Sequence, residues 1–122
     1  EKTYCCISSN ARDFARIGLM MMNNGKWNGK QILNEDFVKK CIQPRFDSYP
    51  HYGYGFWLEE IGGRDFYVMQ GILGQYVIAD PEKNILIVRL GHEREEKGNS
   101  AVFPSDFYKY LNGAYEMMRN AK

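Results

Sequence analysis

The run that most invites a chemical reading is Met69-Gln70-Gly71-Ile72-Leu73-Gly74-Gln75. Glycines at 71 and 74 interrupt an aromatic-rich strand pattern. Glycine weakens a strand unless another backbone or a ligand must come close. Two readings stay open: a tight turn with a bulge, or a strand edge whose bare N–H groups face a substrate. A serine nucleophile needs a base within hydrogen-bond reach. The third residues after Ser8, Ser9, Ser48, Ser100 and Ser105 are Ala11, Arg12, His51, Phe103 and Tyr108, so no Ser-x-x-Lys is present. There is no G-x-S-x-G elbow and no phosphate-binding G-x-x-x-x-G-K-[ST] loop. Tyr110-Leu111-Asn112 spells Tyr-x-Asn but falls inside an amphipathic helical pattern, where it reads as coincidence. The adjacent acids Glu59-Glu60 and Glu95-Glu96 read as solvated groups, with nothing to mark a raised-pKa pair. His51 and His92 form no ligand pattern with Cys5, Cys6 and Cys41, so no metal is expected, and no cofactor motif is present. An odd cysteine count argues against a complete disulfide framework, and the thiols are expected to pack as small hydrophobes.

The elements that would position this run follow from periodicity. Asn10 to Asn23 reads as a helix capped by Asn10, with Asp13 completing a capping-box-like pair. Phe14, Ile17, Gly18 and Met21 form its apolar stripe. Gly25 is a candidate left-handed cap, and Trp27-Asn28-Gly29-Lys30 a turn. Asn34 caps a second helix from Glu35 to about Ile42, ended by Pro44. Tyr52 to Leu58 alternates, predicting a strand with a glycine-lined face. Gly62-Gly63 signals a hairpin. Further strands are expected at Asp65 to Gln70, Gln75 to Asp80 and Asn84 to Leu90, with Pro81-Glu82-Lys83 turning between the last two. Ile85-Leu86-Ile87-Val88 is apolar on both faces, which predicts a central strand covered on both sides. Ser105 is expected to cap a final helix whose stripe is Phe107, Leu111, Ala114 and Met118. Short connections mean antiparallel pairing, so the class is α+β: an antiparallel sheet of about four strands flanked by helices.

Composition bounds the function. The 122 residues carry 16 Lys plus Arg and 15 Asp plus Glu, a net charge of +1, which argues against a nucleic-acid surface. Hydrophobic residues are 44% and charged residues 25%, values of a folded globular chain. Ile17 to Met22 is the longest apolar run and is too short to span a bilayer. No apolar signal segment opens the chain, and its first residue, Glu1, fits a processed or excised segment.

Three stretches together resemble the C-terminal part of the serine β-lactamase-like hydrolases. That group holds the D-alanyl-D-alanine peptidases, class C-type β-lactamases, esterases and 6-aminohexanoate-dimer hydrolase-like enzymes. Ser8 to Gly18 is similar to the family's S-T-A-R-D-L-A-R-F-G helix. Gly25 to Leu33 is similar to its G-x-W-x-G-x-x-I-L turn. Tyr52 to Trp57, Phe66-Tyr67, Gly71 to Gln75 and Pro81 are similar to its Y-G-Y-x-W-W … F-Y-A-x-G-x-x-G-Q … P block. The resemblance runs from about Tyr4 to Arg94 and treats residues 1–122 as one segment of a β-lactamase-like domain.

The resemblance implies an acyl-serine mechanism on amide or ester bonds. It places the family's third motif, Lys-Thr-Gly or His-x-Gly, on Met69-Gln70-Gly71, which makes these three the substrate-binding residues. Only Gly71 matches, so a cation for a substrate carboxylate is missing and the esterase or amide-hydrolase side of the family is favoured. Ile72 would contribute its backbone N–H to the oxyanion hole, a donor whose loss costs about 3 kcal/mol in the transition state. The Ser-x-x-Lys and Tyr-x-Asn motifs precede this region in the family. The segment alone is therefore expected to be inactive, with the missing N-terminal part of the same protein as its partner and a small-molecule or peptide-like substrate. A non-catalytic binding or envelope-interaction module is the alternative. An unpaired sheet edge also predicts self-association. Family members are commonly exported to the cell envelope or periplasm.

Overall fold

The computed structural model describes residues 6–121. Helix α1 (Ala11–Met22) starts at Asn10, whose side chain accepts the Asp13 N–H at 3.0 Å. The Asp13 carboxylate accepts in return from Asn10 and Ser9, both at 2.8 Å. The Ser9 hydroxyl and Arg16 hold the Asp13 carboxyl below its usual range. The predicted stripe is inward: Gly18 and Met21 are buried. Gly18 is small because α1 lies on the sheet there, and a Cβ would stand 2.7 Å from Leu86 Cδ1. Gly25, at φ +81°, turns the chain into a hairpin of β1 (Lys26–Trp27) and β2 (Lys30–Gln31). Its turn residues Asn28 and Gly29 have φ 47° and 76°, the conformation of the tight hairpin turn that Asn-Gly favours. Helix α2 (Glu35–Cys41) is capped by Asn34, as expected.

The main sheet contains β3 (Trp57–Ile61), β4 (Arg64–Gln70), β5 (Tyr76–Asp80) and β6 (Ile85–Arg89), antiparallel and in sequence order. Helix α3 (Ser105–Asn120) closes the described chain. The fold class is α+β, as predicted. The sheet separates two cores. Phe66, Val68, Tyr76 and Ile78 meet Phe103, Phe107 and Leu111 on the α3 side. Leu58, Tyr67 and Ala79 meet Met21, Val38 and Cys41 on the α1 and α2 side. Burying such side chains stabilises by roughly 1.5–3 kcal/mol each. One ionic group ties β4, β5 and α3: Asp80, fully buried, accepts from Arg64 at 2.6 Å, from the Tyr115 hydroxyl and from the Lys83 N–H at 3.1 Å.

Five expectations are corrected. The predicted strand Tyr52 to Leu58 pairs as a strand only from Trp57, with Tyr52 forming an isolated bridge to Trp57. Residues 52–56 instead fold onto the end of α2, where Tyr54 N–H donates to Cys41 C=O at 3.1 Å. Strand β6 is not central but the edge of the sheet, and all its residues are half-buried. The fully buried strand is β5. Ser105 does not cap α3. Pro104 holds the cap position, and the Ser105 hydroxyl donates to Glu95 instead. Met118 is exposed on the far end of α3. Cys6 is disulfide-bonded and exposed, whereas Cys41 is the buried thiol expected; Cys5 lies outside the described residues.

Candidate functional site

An open cleft of about 810 Å³ is lined by Trp57, Gln70, Gly71 and Ile72 on one side. Its other side is residues 94–97 with Val102 and Pro104. The end of β4 forms the first wall because its neighbour stops early. Strand β3 ends opposite Val68, with Trp57 as the last partner, so Met69 and Gln70 pair only with β5. Gly71 N–H donates to Gln75 C=O at 2.8 Å, toward β5. Successive backbone groups of an antiparallel strand alternate in direction. The Gln70 N–H and C=O therefore point the other way, along the edge that β3 vacates.

After Gly71 the chain turns tightly. Gly74 N–H donates to Gly71 C=O at 3.3 Å, and Leu73 N–H donates to Gln75 Oε1 at 3.1 Å. Gly74 takes φ +76°. The run is a tight turn, and its outer side faces the cleft. Ile72 stands at the tip, 78% exposed. Among the described residues no acceptor takes its N–H.

The anticipated residues divide. Gln70, Gly71 and Ile72 line the cleft, whereas Met69 is half-buried and is not among the lining residues. Period-two alternation puts its side chain on the sheet face opposite Gln70. The second wall was not anticipated, because a charged stretch from Glu93 to Asn99 carries the signature of a solvated loop. It is held down by a polar staple. Glu95 accepts from the Ser105 hydroxyl at 2.6 Å and from Lys109 at 2.5 Å, and Ser105 N–H donates to Glu96 C=O at 3.1 Å. The Lys109 and Ser105 hydrogen bonds lower the Glu95 pKa, which makes the carboxylate a poor base. Ser105 beside it reads as a structural donor.

Glu59 was also misread as solvated. Its Oε2 is buried without a hydrogen-bond partner among the described residues. Burial pushes its pKa up, against the opposing charges of His51 and Lys97. Only the fold could reveal this, since Lys97 is 38 positions away. Among the described residues no group of His, Cys, Asp and Glu could hold a metal ion. No described helix is long and apolar enough to cross a membrane.

The chain is similar to the solved structure of a protein described as "Putative 6-aminohexanoate-dimer hydrolase from Bacillus anthracis", with TM-score 0.62 and 23% sequence identity. The match covers 90% of this chain. The fold is β-lactamase-like. The α+β architecture, with its four-stranded antiparallel sheet and flanking helices, is consistent with the C-terminal part of that fold. This chain spans 28% of the length of that protein. No protein-family profile matches the chain, and no curated protein does.

Proposed function

We propose that this chain is one part of a serine hydrolase that cleaves amide or ester bonds through an acyl-serine intermediate. It supplies the pocket-edge strand and an oxyanion-hole amide. The observation that carries the reading is the end of β4: an unpaired strand edge at Gln70 and an unpaired N–H at Ile72, side by side in a cleft. A serine and its base, from polypeptide outside these residues, would attack the substrate carbonyl. The hydroxyl proton passes to the base and then to the leaving amine or alcohol. The oxyanion formed in between accepts the Ile72 N–H, a contact stronger in the transition state than in the ground state. Gln70 N–H and C=O pair with a peptide-like substrate as an added strand would. Trp57 offers an apolar wall. No cation stands at 69, while Arg94 and Lys97 line the opposite wall.

The partner in this reading is the remainder of the same polypeptide. Strand β6 supports it, because an unprotected edge that is apolar on both faces is not how sheets end. Carrying the ladder alternation from Gly71–Gln75 through β5 gives the free groups: Leu86 and Val88 direct their N–H and C=O outward.

The test is the reaction of the full-length product of the gene with a fluorophosphonate and with p-nitrophenyl butyrate. Covalent labelling of one serine together with turnover is expected. An unlabelled, inactive full-length protein favours instead a non-catalytic module that kept the cleft for binding, for which Met69 in place of a cation is the supporting observation.

A further inference from the structure

The space beside Gly71, Gly74 and Gly91 is filled in each case by the end of one of two polar side chains. A Cβ on Gly71 would collide with Gln75 Oε1, and a Cβ on Gly74 or Gly91 would collide with Arg89 Nη1. The occupying side chains bond across the gap they fill. Gln75 Oε1 accepts the Leu73 N–H at 3.1 Å, while its Nε2 donates to Gly91 C=O at 2.7 Å. Arg89 Nη1 donates to Gly74 C=O and, at 2.9 Å, to Glu93 C=O. Each residue therefore joins the turn at 71–75, one wall of the cleft, to the segment at 91–93 that leads into the other wall. Neither lines the cleft itself.

The clamp is anchored. The Arg89 guanidinium lies 5.0 Å from the Tyr110 ring centroid and 6.0 Å from that of Tyr76, with Asp106 Oδ2 at 3.7 Å. Asp106 is buried in the first turn of α3 and accepts the Tyr76 hydroxyl at 3.2 Å. Arg89 is thus fixed to α3 and β5 before it reaches the turn. A single nitrogen, Nη1, serves both carbonyls while the planar guanidinium lies over the Tyr76 and Tyr110 rings, a combination a lysine ammonium does not reproduce.

We propose that Gln75 and Arg89 are positioning residues that lock the two cleft walls together from behind and so fix where the Ile72 amide points. The inference rests on the hydrolase reading above. An oxyanion donor acts only when held at hydrogen-bonding distance from the developing charge. A displacement of about 1 Å can cost on the order of a hundredfold in rate.

Gln75→Glu separates the two halves of the clamp. It keeps the acceptor for Leu73 N–H and loses the donor to Gly91 C=O. In the full-length hydrolase, with p-nitrophenyl butyrate as probe and active sites titrated with a fluorophosphonate, kcat per titrated site is expected to fall about tenfold or more. KM should change by less than about twofold, because the loss falls on the transition state. A purely structural role would lower the titratable fraction and leave kcat per site unchanged, which overturns the proposal. Arg89→Lys is expected to give a fall of similar size, and Gln75→Asn, too short for both partners, should not rescue. Amide hydrogen exchange at Gly71 and Gly74, whose N–H groups bond within the turn, provides a readout independent of activity. It is expected to quicken about tenfold in Gln75→Glu, and equal exchange in the two proteins also overturns the clamp. A wild-type protein without labelling or turnover defeats the hydrolase reading, while the exchange comparison still decides the clamp.

Discussion

Single side chains in this chain are legible when their partners are local. Asn10 and Asn34 bond amides three residues on, so sequence alone identified both caps. Glu59 and Gln75 were opaque because distant loops determine what they meet. Tyr67 is a further case. Its hydroxyl is buried, has no hydrogen-bond partner among the described residues, and is pushed to a higher pKa by burial. A buried hydroxyl without a partner costs about 1–3 kcal/mol. Tyr67→Phe is therefore expected to raise stability by about 1 kcal/mol in urea titration, and a loss of that size would show that the hydroxyl is satisfied. Tyr76 and Tyr115 titrate together at alkaline pH. Burial, with Asp106 beside Tyr76 and Asp80 beside Tyr115, pushes both up to about 12 from 10.0. In the unfolded chain they ionise near 10, so above that pH the unfolded state sheds protons that the folded state keeps. Their contribution is complete below pH 10 and is lost as pH climbs to about 12. The urea midpoint should fall across that window, and less steeply in Tyr115→Phe. A midpoint that stays level there contradicts the assignment.

At the scale of elements, periodicity located helices and strands but could not order them. The Ile85–Val88 run reads as a covered strand, and in the sheet it lies at the edge. Pattern records what a strand is built to be packed against, not which neighbour is present. The misread strand at Tyr52 to Phe56 has a different cause. Gly53 sits so close to α2 that a Cβ would collide with the Cys41 carbonyl, and this docking replaces pairing with β4. If β6 is completed by another strand of the same polypeptide, the Leu86 and Val88 amides should exchange slowly in the full-length protein and fast in residues 1–122. Equal exchange rates at both positions in the two proteins would remove the proposed partner. The turn at 71–75 makes its own prediction. Gly71→Ala drives a Cβ into the Gln75 side chain and should disturb Leu73 N–H protection, whereas Gly29→Ala, with open space around it, should leave the cleft untouched.

Across the whole molecule, two cores lie on opposite faces of one sheet, and the buried Asp80 group ties the sheet to α3 on one of them. Breaking such a pair by removing one member leaves a buried charge uncompensated, typically at a cost of about 3–5 kcal/mol. Arg64→Ala is expected to lose about 3 kcal/mol by urea titration, and a change below about 1 kcal/mol would show that water replaces the guanidinium. Fold class could be read from the sequence, because helix and strand periodicity are dense local signals, whereas Gln70, Gly71 and Ile72 were singled out by the family resemblance. The opposite wall could be read from neither, since its staple links residues 95, 105 and 109 through space. The most direct measurement is backbone amide exchange in the full-length protein before and after fluorophosphonate labelling. The account predicts that phosphonylation of the serine slows exchange at Gln70 and Ile72 more than at any other amide from Arg64 to Gln75. A labelled protein in which both amides exchange as before would contradict it.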